Sequence, residues 1–326
     1  MTDEILTRRE GAAGILSLNR PKAIHALTLD MVHAMTAALI EWRDGPAVAA
    51  IVIDHAEGRG FCAGGDIAFL RNSALTDGGF AGRKFFHDEY QLNHLIFACP
   101  KPVIAFMDGI VMGGGVGISQ PARFRIATEN TRFAMPETGI GLFPDVGGGW
   151  YLSRLGGRMG QFLALTGARL DGAECLWSGL ATHYLPHEAL GEAKERIAHG
   201  HEPGGVLAAL AITPQHARIE DNAAQIARHF ASDRYEDILA SLERDSSEWA
   251  AKELATLHTK SPQTCKVALR QLATSIGLSD FAANMAMEYR IASRVLVRLD
   301  FSEGVTEDLL DAIFAPLPAA EEWKPL

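Results

Sequence analysis

The chain has 326 residues, 48% hydrophobic and 21% charged, which is ample for one large domain or two modest ones with a real apolar core. A net charge of −10 and the lack of any Lys/Arg block exclude a general nucleic-acid binder, while leaving room for a local basic pocket. No apolar run approaches the roughly 20 residues of a membrane span, and the polar, acidic opening MTDEILTRRE lacks the chemistry of a signal or transit peptide, so no membrane association and a cytoplasmic location are expected.

In chain order, ILTRRE and ILSLNRP read as two strands around the small-residue turn GAAG. Thr28 is a suitable N-cap for a helix running to about Arg43, with Val32, Met35 and Leu39 on one face and Asp44-Gly45-Pro46 as its stop. The continuous apolar run VAAIVIDH, from Val48, suits a strand covered on both faces. It leads into GRGFCAGGDI, Gly58 to Ile67, and a second helix is expected over FFHDEYQLNHLIFA, from Phe85. KPVIAFMDG then repeats the pattern of a strand feeding a glycine cluster. After Arg154 the texture turns helical, through RMGQFLALTG, DGAECLWSGL and HEALGEAKERIAHG, with a short strand at ATHYL. HEPGG, His201 to Gly205, reads as a linker. It divides a core, residues 1–200, from a helical region, 201–326, that ends in the tail APLPAAEEWKPL.

The chemistry concentrates between Pro102 and Arg154. A buried strand ending in Gly-Gly-Gly and opening a helix leaves backbone N–H groups facing open space, where they can hold an anion or oxyanion. Gly64-Gly65 follows a strand in the same way, so two donors can converge. Glu137 and Asp145 stand near these loops among apolar residues, where burial would raise a carboxyl pKa toward use as base, nucleophile or acid. Together these features suggest a thioester-cleaving site. Bland readings compete: close helix packing for Gly113 to Gly117, an exposed cap for Glu137, and the N-cap of a helix starting near Val146 for Asp145.

Other motifs fare worse. GRGFCA formally matches the G-x-G-x-x-A dinucleotide fingerprint, but Gly64-Gly65-Asp66 is an odd continuation for its helix and no clear acidic residue closes the unit. There is no P-loop and no G-x-S-x-G elbow, and Ser119 lacks an obvious His partner. Cys62, Cys99, Cys175 and Cys265 are far apart and read as buried small hydrophobes, with Cys62 in its glycine loop the one held open. His199-x-His201 has no partner ligands, so no metal site is expected.

FCAGGDI, MGGGVGIS and FAMPETGIGLFPDVGGGWYLSRL resemble the enoyl-CoA hydratase/isomerase (crotonase) superfamily, and within it the 3-hydroxyisobutyryl-CoA hydrolases. NRPKAIHALT, EYQLN, LTGARLDG, SPQTCKVALRQL, MEYRIASR and DFSEGV extend the likeness over nearly the whole chain. The resemblance implies an α/β fold, a crotonase-like spiral of ββα repeats with a helical C-terminal region. It implies an acyl-CoA thioester as the small-molecule substrate, with coenzyme A part of that substrate and no separate cofactor. By the same analogy Gly65 and Gly114 form the oxyanion hole, Glu137 is the principal catalytic carboxylate and Asp145 the second, and Glu89 contacts the substrate, plausibly at a 3-hydroxyl. Gly117 stands where typical hydratases carry a glutamate, so hydration should be poor. A double-bond isomerase and a non-catalytic acyl-CoA-binding scaffold are the alternatives. The superfamily often forms trimers and hexamers, which makes a homo-oligomer a candidate state. Two departures stand out: His25 replaces the usual Asn, and the acidic TEDLLDAIFAPLPAAEEW withdraws the cationic help the tail usually gives the CoA phosphates. Arg59, Lys22 and Lys101 are the candidates to compensate.

Overall fold

The computed structural model describes residues 2–298 and 307–326. Its strands are β1 (Ile5–Glu10), β2 (Ala13–Leu18), β3 (Ala50–His55), β4 (Gly60–Cys62), β5 (Val103–Met107), β6 (Ile110–Met112), β7 (Phe124–Ala127), β8 (Arg132–Ala134), β9 (Leu170–Asp171) and β10 (His183–Tyr184). Interleaved with them are helices α1 (Leu29–Asp44), α2 (Ile67–Thr76), α3 (Phe80–Phe97), α4 (Gly114–Ser119), α5 (Gly148–Ser153), α6 (Met159–Thr166) and α7 (Gly172–Trp177). Then follow α8 (Leu190–Ala198), α9 (Pro203–Leu210), α10 (Ala223–His229), α11 (Tyr235–Glu243), α12 (Glu248–Leu257), α13 (Pro262–Ser275), α14 (Phe281–Val295) and α15 (Glu307–Phe314). The DFSEGV segment lies outside the described residues.

The strands form a six-stranded sheet in the order β1-β2-β3-β5-β7-β10 and a four-stranded sheet in the order β4-β6-β8-β9. Each consecutive pair, β3/β4, β5/β6 and β7/β8, sends its first strand to the large sheet and its second to the small one. The chain therefore winds as a spiral of ββα turns. β3 and β5 are buried on both faces, as their unbroken apolar runs anticipate, because α1, α3 and the small sheet cover one side and α8–α9 the other. Thr28 caps α1 as expected, its hydroxyl accepting from the Met31 N–H.

Two local expectations change, and one open point is decided. The helix expected from Phe85 begins at Phe80, and a separate helix, α2, precedes it, capped by the Asp66 side chain. The periodicity of α2 is weak because Ile67, Phe69 and Leu75 are exposed rather than turned to the core. HEPGG is no linker: the Glu202 carboxylate accepts from the N–H groups of Gly204 and Gly205, Pro203 fills the first turn, and Val206 and Leu207 bury against Ile104, Phe106 and Leu185. The tail is ordered, with the Trp323 indole buried and donating to the carbonyl of His87 on α3.

Candidate active site

β4, β6 and β8 lie side by side and parallel, so whatever follows their C-terminal ends meets on one edge of the small sheet. Gly64-Gly65 follows β4, Gly113-Gly114 follows β6, and Glu137 opens the short 3-10 turn after β8. The two glycine loops touch: a Cβ on Gly113 would lie 3.2 Å from the Gly64 Cα, and one on Gly114 would lie 3.2 Å from the Gly64 carbonyl carbon. Gly64 and Gly113 adopt positive φ, +126° and +47°, which explains glycine there on backbone grounds as well.

Donor directions follow from the pairing. Leu27 and Gly65 form a parallel bridge in which the Leu27 N–H donates to the Gly64 carbonyl and the Asp66 N–H to the Leu27 carbonyl. The N–H of Gly65 itself therefore points away from that strand. Gly114 is the first residue of α4, so its N–H has no acceptor within the helix. Packing and donation coexist in the cluster, since a Cβ on Gly115 would stand 2.4 Å from the Cys62 carbonyl oxygen.

Both loops rim a cavity of about 80 Å³ lined also by Phe85, Phe86, Glu89, Glu137, Leu142 and Asp145. Glu89 reaches it from α3, and a Cβ on Gly114 would fall 2.6 Å from its Oε1. Glu137 and Asp145 are 5% and 8% exposed, so neither is a solvated surface carboxylate. Glu89 Oε1 and Glu137 Oε2 make no hydrogen bond to the described protein atoms, an unusual state for buried carboxyls and one that points to a ligand-facing role. Burial pushes the Glu89 and Glu137 pKa values well up, and the Asp145 charge adds to both. Asp145 rises less, to about 6, because the Tyr90 hydroxyl donates to its Oδ2 at 2.7 Å and offsets part of the desolvation.

The helix-cap reading of Asp145 is corrected. α5 starts at Gly148, and the free N–H groups at its entrance, those of Gly147 and Gly149, donate to Glu288 of α14. Tyr90 and Glu288 are the residues around this site that the motifs did not single out. Both lie within the segments EYQLN and MEYRIASR, but nothing in the spacing says that they meet the loop around Asp145.

Among the remaining candidates, Cys62 is fully buried with its thiol pushed up to about 12 by desolvation, which fits a packing role. Ser119 is buried and donates to the Gly115 carbonyl. His25 is buried at φ +54°, accepts from the Arg20 N–H through Nδ1 and bonds the Glu57 carbonyl through Nε2, so it does locally what an Asn could do in a left-handed turn. Lys101 holds the carbonyls of Trp42 and Gly45 at the end of α1, which commits it to structure, while Lys22 and Arg59 stay exposed. Among the described residues no group of three or more His, Cys, Asp or Glu is arranged to hold a metal ion, and no helix is long and apolar enough to cross a membrane.

Comparison with known proteins agrees with this geometry. The family model for enoyl-CoA hydratase/isomerase matches residues 13–325. The mitochondrial 3-hydroxyisobutyryl-CoA hydrolase of Rattus norvegicus is 40% identical over 99% of this chain and 85% of its own length. That of Homo sapiens is 38% identical over 99% and 84%. A crystal structure titled as a carnitinyl-CoA dehydratase from Mycobacterium thermoresistibile superposes with a TM-score of 0.94 at 36% identity, covering 99% of both chains. One titled as an enoyl-CoA hydratase from Rhodobacter sphaeroides 2.4.1 gives 0.91 at 33% identity, covering 99% of this chain and all of the other. With the spiral of ββα turns, the paired glycine loops and these matches over nearly its whole length, the chain belongs to the enoyl-CoA hydratase/isomerase family.

Proposed function

We propose that the chain hydrolyses short acyl-CoA thioesters, 3-hydroxyisobutyryl-CoA foremost, to the free acid and coenzyme A, the reaction named for its curated relatives and one that belongs to valine breakdown. The observation that carries this reading is the meeting of two outward backbone N–H groups, Gly65 and Gly114, with the buried carboxyls Glu89, Glu137 and Asp145 around one cavity. At about 80 Å³ that cavity is far below the roughly 300 Å³ at which pockets for drug-sized ligands begin, which favours a short acyl group.

In this reading the two N–H groups bind the thioester carbonyl oxygen as it gains negative charge, each donor worth roughly 3 to 4 kcal/mol if typical oxyanion values apply. In this mechanism Glu137, which burial and the Asp145 charge push toward its neutral form, carries a proton, and Asp145, whose ionised form the Tyr90 hydroxyl favours, carries the charge. Glu137 gives that proton to Asp145 and attacks the carbonyl carbon, or else directs a water to it. The C–S bond breaks, and the departing thiolate takes the proton from Asp145; on the anhydride route a water then attacks the Glu137 carboxyl carbon, which releases the free acid and leaves Glu137 protonated again. Glu89, protonated by its burial, hydrogen-bonds the 3-hydroxyl group. No cofactor enters these steps.

The names of the structural neighbours favour hydration as a second reading. Against it, Gly117 is buried and a Cβ there would meet Val146 Cβ at 2.7 Å and Asn93 Nδ2 at 2.9 Å, so the position has no space for a second glutamate. A double-bond isomerase or a non-catalytic acyl-CoA binder are told apart by one assay on a panel of acyl-, hydroxyacyl- and enoyl-CoA thioesters: free thiol appears for a hydrolase, an absorbance change without thiol for an isomerase, and binding without turnover for a scaffold. Glu137→Gln should abolish CoA release while the protein stays folded, and an unaffected rate refutes the proposal. Single turnover in labelled water separates the two routes, since label entering Glu137 requires the anhydride.

We further propose that residues 1–200 form the acyl-CoA cradle and residues 201–326 brace it. A cytoplasmic location and a homo-oligomeric state belong to the same proposal, to be tested by cell fractionation and by sedimentation. The relatives' mitochondrial names set the competing outcome for the first.

A further inference from the structure

Helices α13 and α14 reach across from the C-terminal region to the loop that carries Asp145. Glu288, fully buried in the middle of α14, accepts from the Gly147 N–H through Oε2 at 2.7 Å and from the Gly149 N–H through Oε1 at 2.9 Å. Its Oε1 also accepts from Gln271 Nε2 and Asn284 Nδ2, each at 2.9 Å. Ser275 Oγ donates to the Asn284 carbonyl oxygen and so orients that amide. All four partners of Glu288 are N–H donors, which favour its carboxylate form against the burial that pushes its pKa up to about 8. Gln271 Nε2 further donates to the Pro144 carbonyl at 2.7 Å. The backbone is thus tied immediately before Asp145 by α13 and two residues after it by α14.

What lies between those ties is strained. Val146 has φ +51°, a left-handed conformation that a β-branched residue adopts only where its surroundings impose it. Gly149 is explained by the same approach: a Cβ there would lie 2.9 Å from both Gln271 Nε2 and Glu288 Oε1. Neither Gln271 nor Glu288 lines the cavity, so neither can touch a substrate held there.

We infer that Glu288, together with Gln271, is a positioning residue for the hydrolysis, a clamp that sets the Asp145 carboxylate by holding the backbone on both sides of it. The inference rests on the hydrolase reading above. The bland alternative is a buried cap that stabilises α5 and nothing more. Steady-state CoA release from 3-hydroxyisobutyryl-CoA, with thermal melting as the folding control, separates them through four proteins: wild type, Glu288→Gln, Asp145→Asn and the double variant. In Glu288→Gln the new amide points a donor at one of the two backbone N–H groups. The expected result is a fall in kcat of tenfold or more with KM within about threefold, and less than a twofold further fall when the change is made in Asp145→Asn. A folded Glu288→Gln with unchanged kcat overturns the clamp, and so does a loss that simply multiplies with that of Asp145→Asn. Should Glu288→Gln not fold, Gln271→Met removes the Pro144 tie and enters the same cycle; failure of both to fold marks the cluster as core structure and also overturns the inference. A wild-type protein that releases no CoA refutes the hydrolase reading instead, which keeps the two failures distinct.

Discussion

Tyr90→Phe tests the electrostatics of the site with a single atom. The Tyr90 ring packs against Phe86 and Tyr289, with centroids 5.9 and 6.4 Å away, and phenylalanine keeps those contacts. What disappears is the hydroxyl that donates to Asp145 Oδ2 at 2.7 Å. That bond favours the ionised carboxylate, so its loss raises the Asp145 pKa from about 6. A hydrogen bond to a charged group is worth roughly 1.5–3 kcal/mol, and at about 1.4 kcal/mol per unit the rise is roughly 1 to 2 units. The acid limb of the kcat/KM profile, which reports groups of the free enzyme, should move up by that much, with the alkaline plateau reduced far less. Stability must follow the same sign. The folded pKa of Asp145 already lies above the ordinary aspartate value of 3.8, so the stabilisation from its proton is full below about 4 and is lost as pH rises through about 6. In Tyr90→Phe that loss should extend to higher pH in thermal melts. An acid limb that stays put, or moves down, refutes the assignment of Asp145 as the ionised carboxylate.

The other predictions concern the donors and the buried acids. Glu137→Gln should melt higher than wild type at pH 8, where the burial-raised carboxyl works against folding, and nearly the same at pH 4, where both forms are neutral; a lower midpoint at pH 8 contradicts the reading. Gly114→Ala forces a Cβ to within 2.6 Å of Glu89 Oε1 and 3.2 Å of the Gly64 carbonyl carbon, and should cut kcat/KM by roughly 10²–10³, the usual effect of losing one oxyanion donor. An unchanged value removes Gly114 from the oxyanion hole. Gly117→Glu, which would restore the residue type expected of a hydratase, should instead destabilise by roughly 1–3 kcal/mol or more and give no hydration of an enoyl-CoA, because the site is already filled by Val146 and Asn93; a folded variant with hydratase activity refutes this.

Much of the core could be read along the chain because its signals are local. Thr28, the apolar runs of β3 and β5, and the glycines after β4 and β6 each declare an element or a turn within a few residues of themselves. That two glycine loops can bring donors together was legible from a strand before each, but that the donors are Gly65 and Gly114 and that Glu137 joins them came only through the family resemblance, since it depends on β4, β6 and β8 lying side by side, a property of the winding and not of any one segment. HEPGG misled because glycine and proline mark a helix start as readily as a linker, and the deciding contact is one carboxylate on two N–H groups. Glu288 was illegible for a different reason. In sequence it is one more acid on a helix, 141 residues from the N–H it holds, and only the packing of α14 on α5 gives it a partner.

The buried acids also constrain what the site can stabilise. Glu89 and Glu137 each lie beside the Asp145 charge and are pushed toward their neutral forms by it and by desolvation. Charge is therefore least costly on Asp145, where the Tyr90 hydroxyl donates, and costlier on Glu89 or Glu137 in so dry a setting. The exception is the rim formed by Gly65 and Gly114, where backbone N–H groups without helix or bridge acceptors meet the cavity. A species that gains its charge there, as a thioester carbonyl does on becoming tetrahedral, is favoured over one that gains it on a carboxyl. In the proposed hydrolysis, the same arrangement that disfavours charge on Glu137 in the free protein would make the oxyanion the preferred home for the charge once attack begins, so donor placement and carboxyl burial would act on the same step.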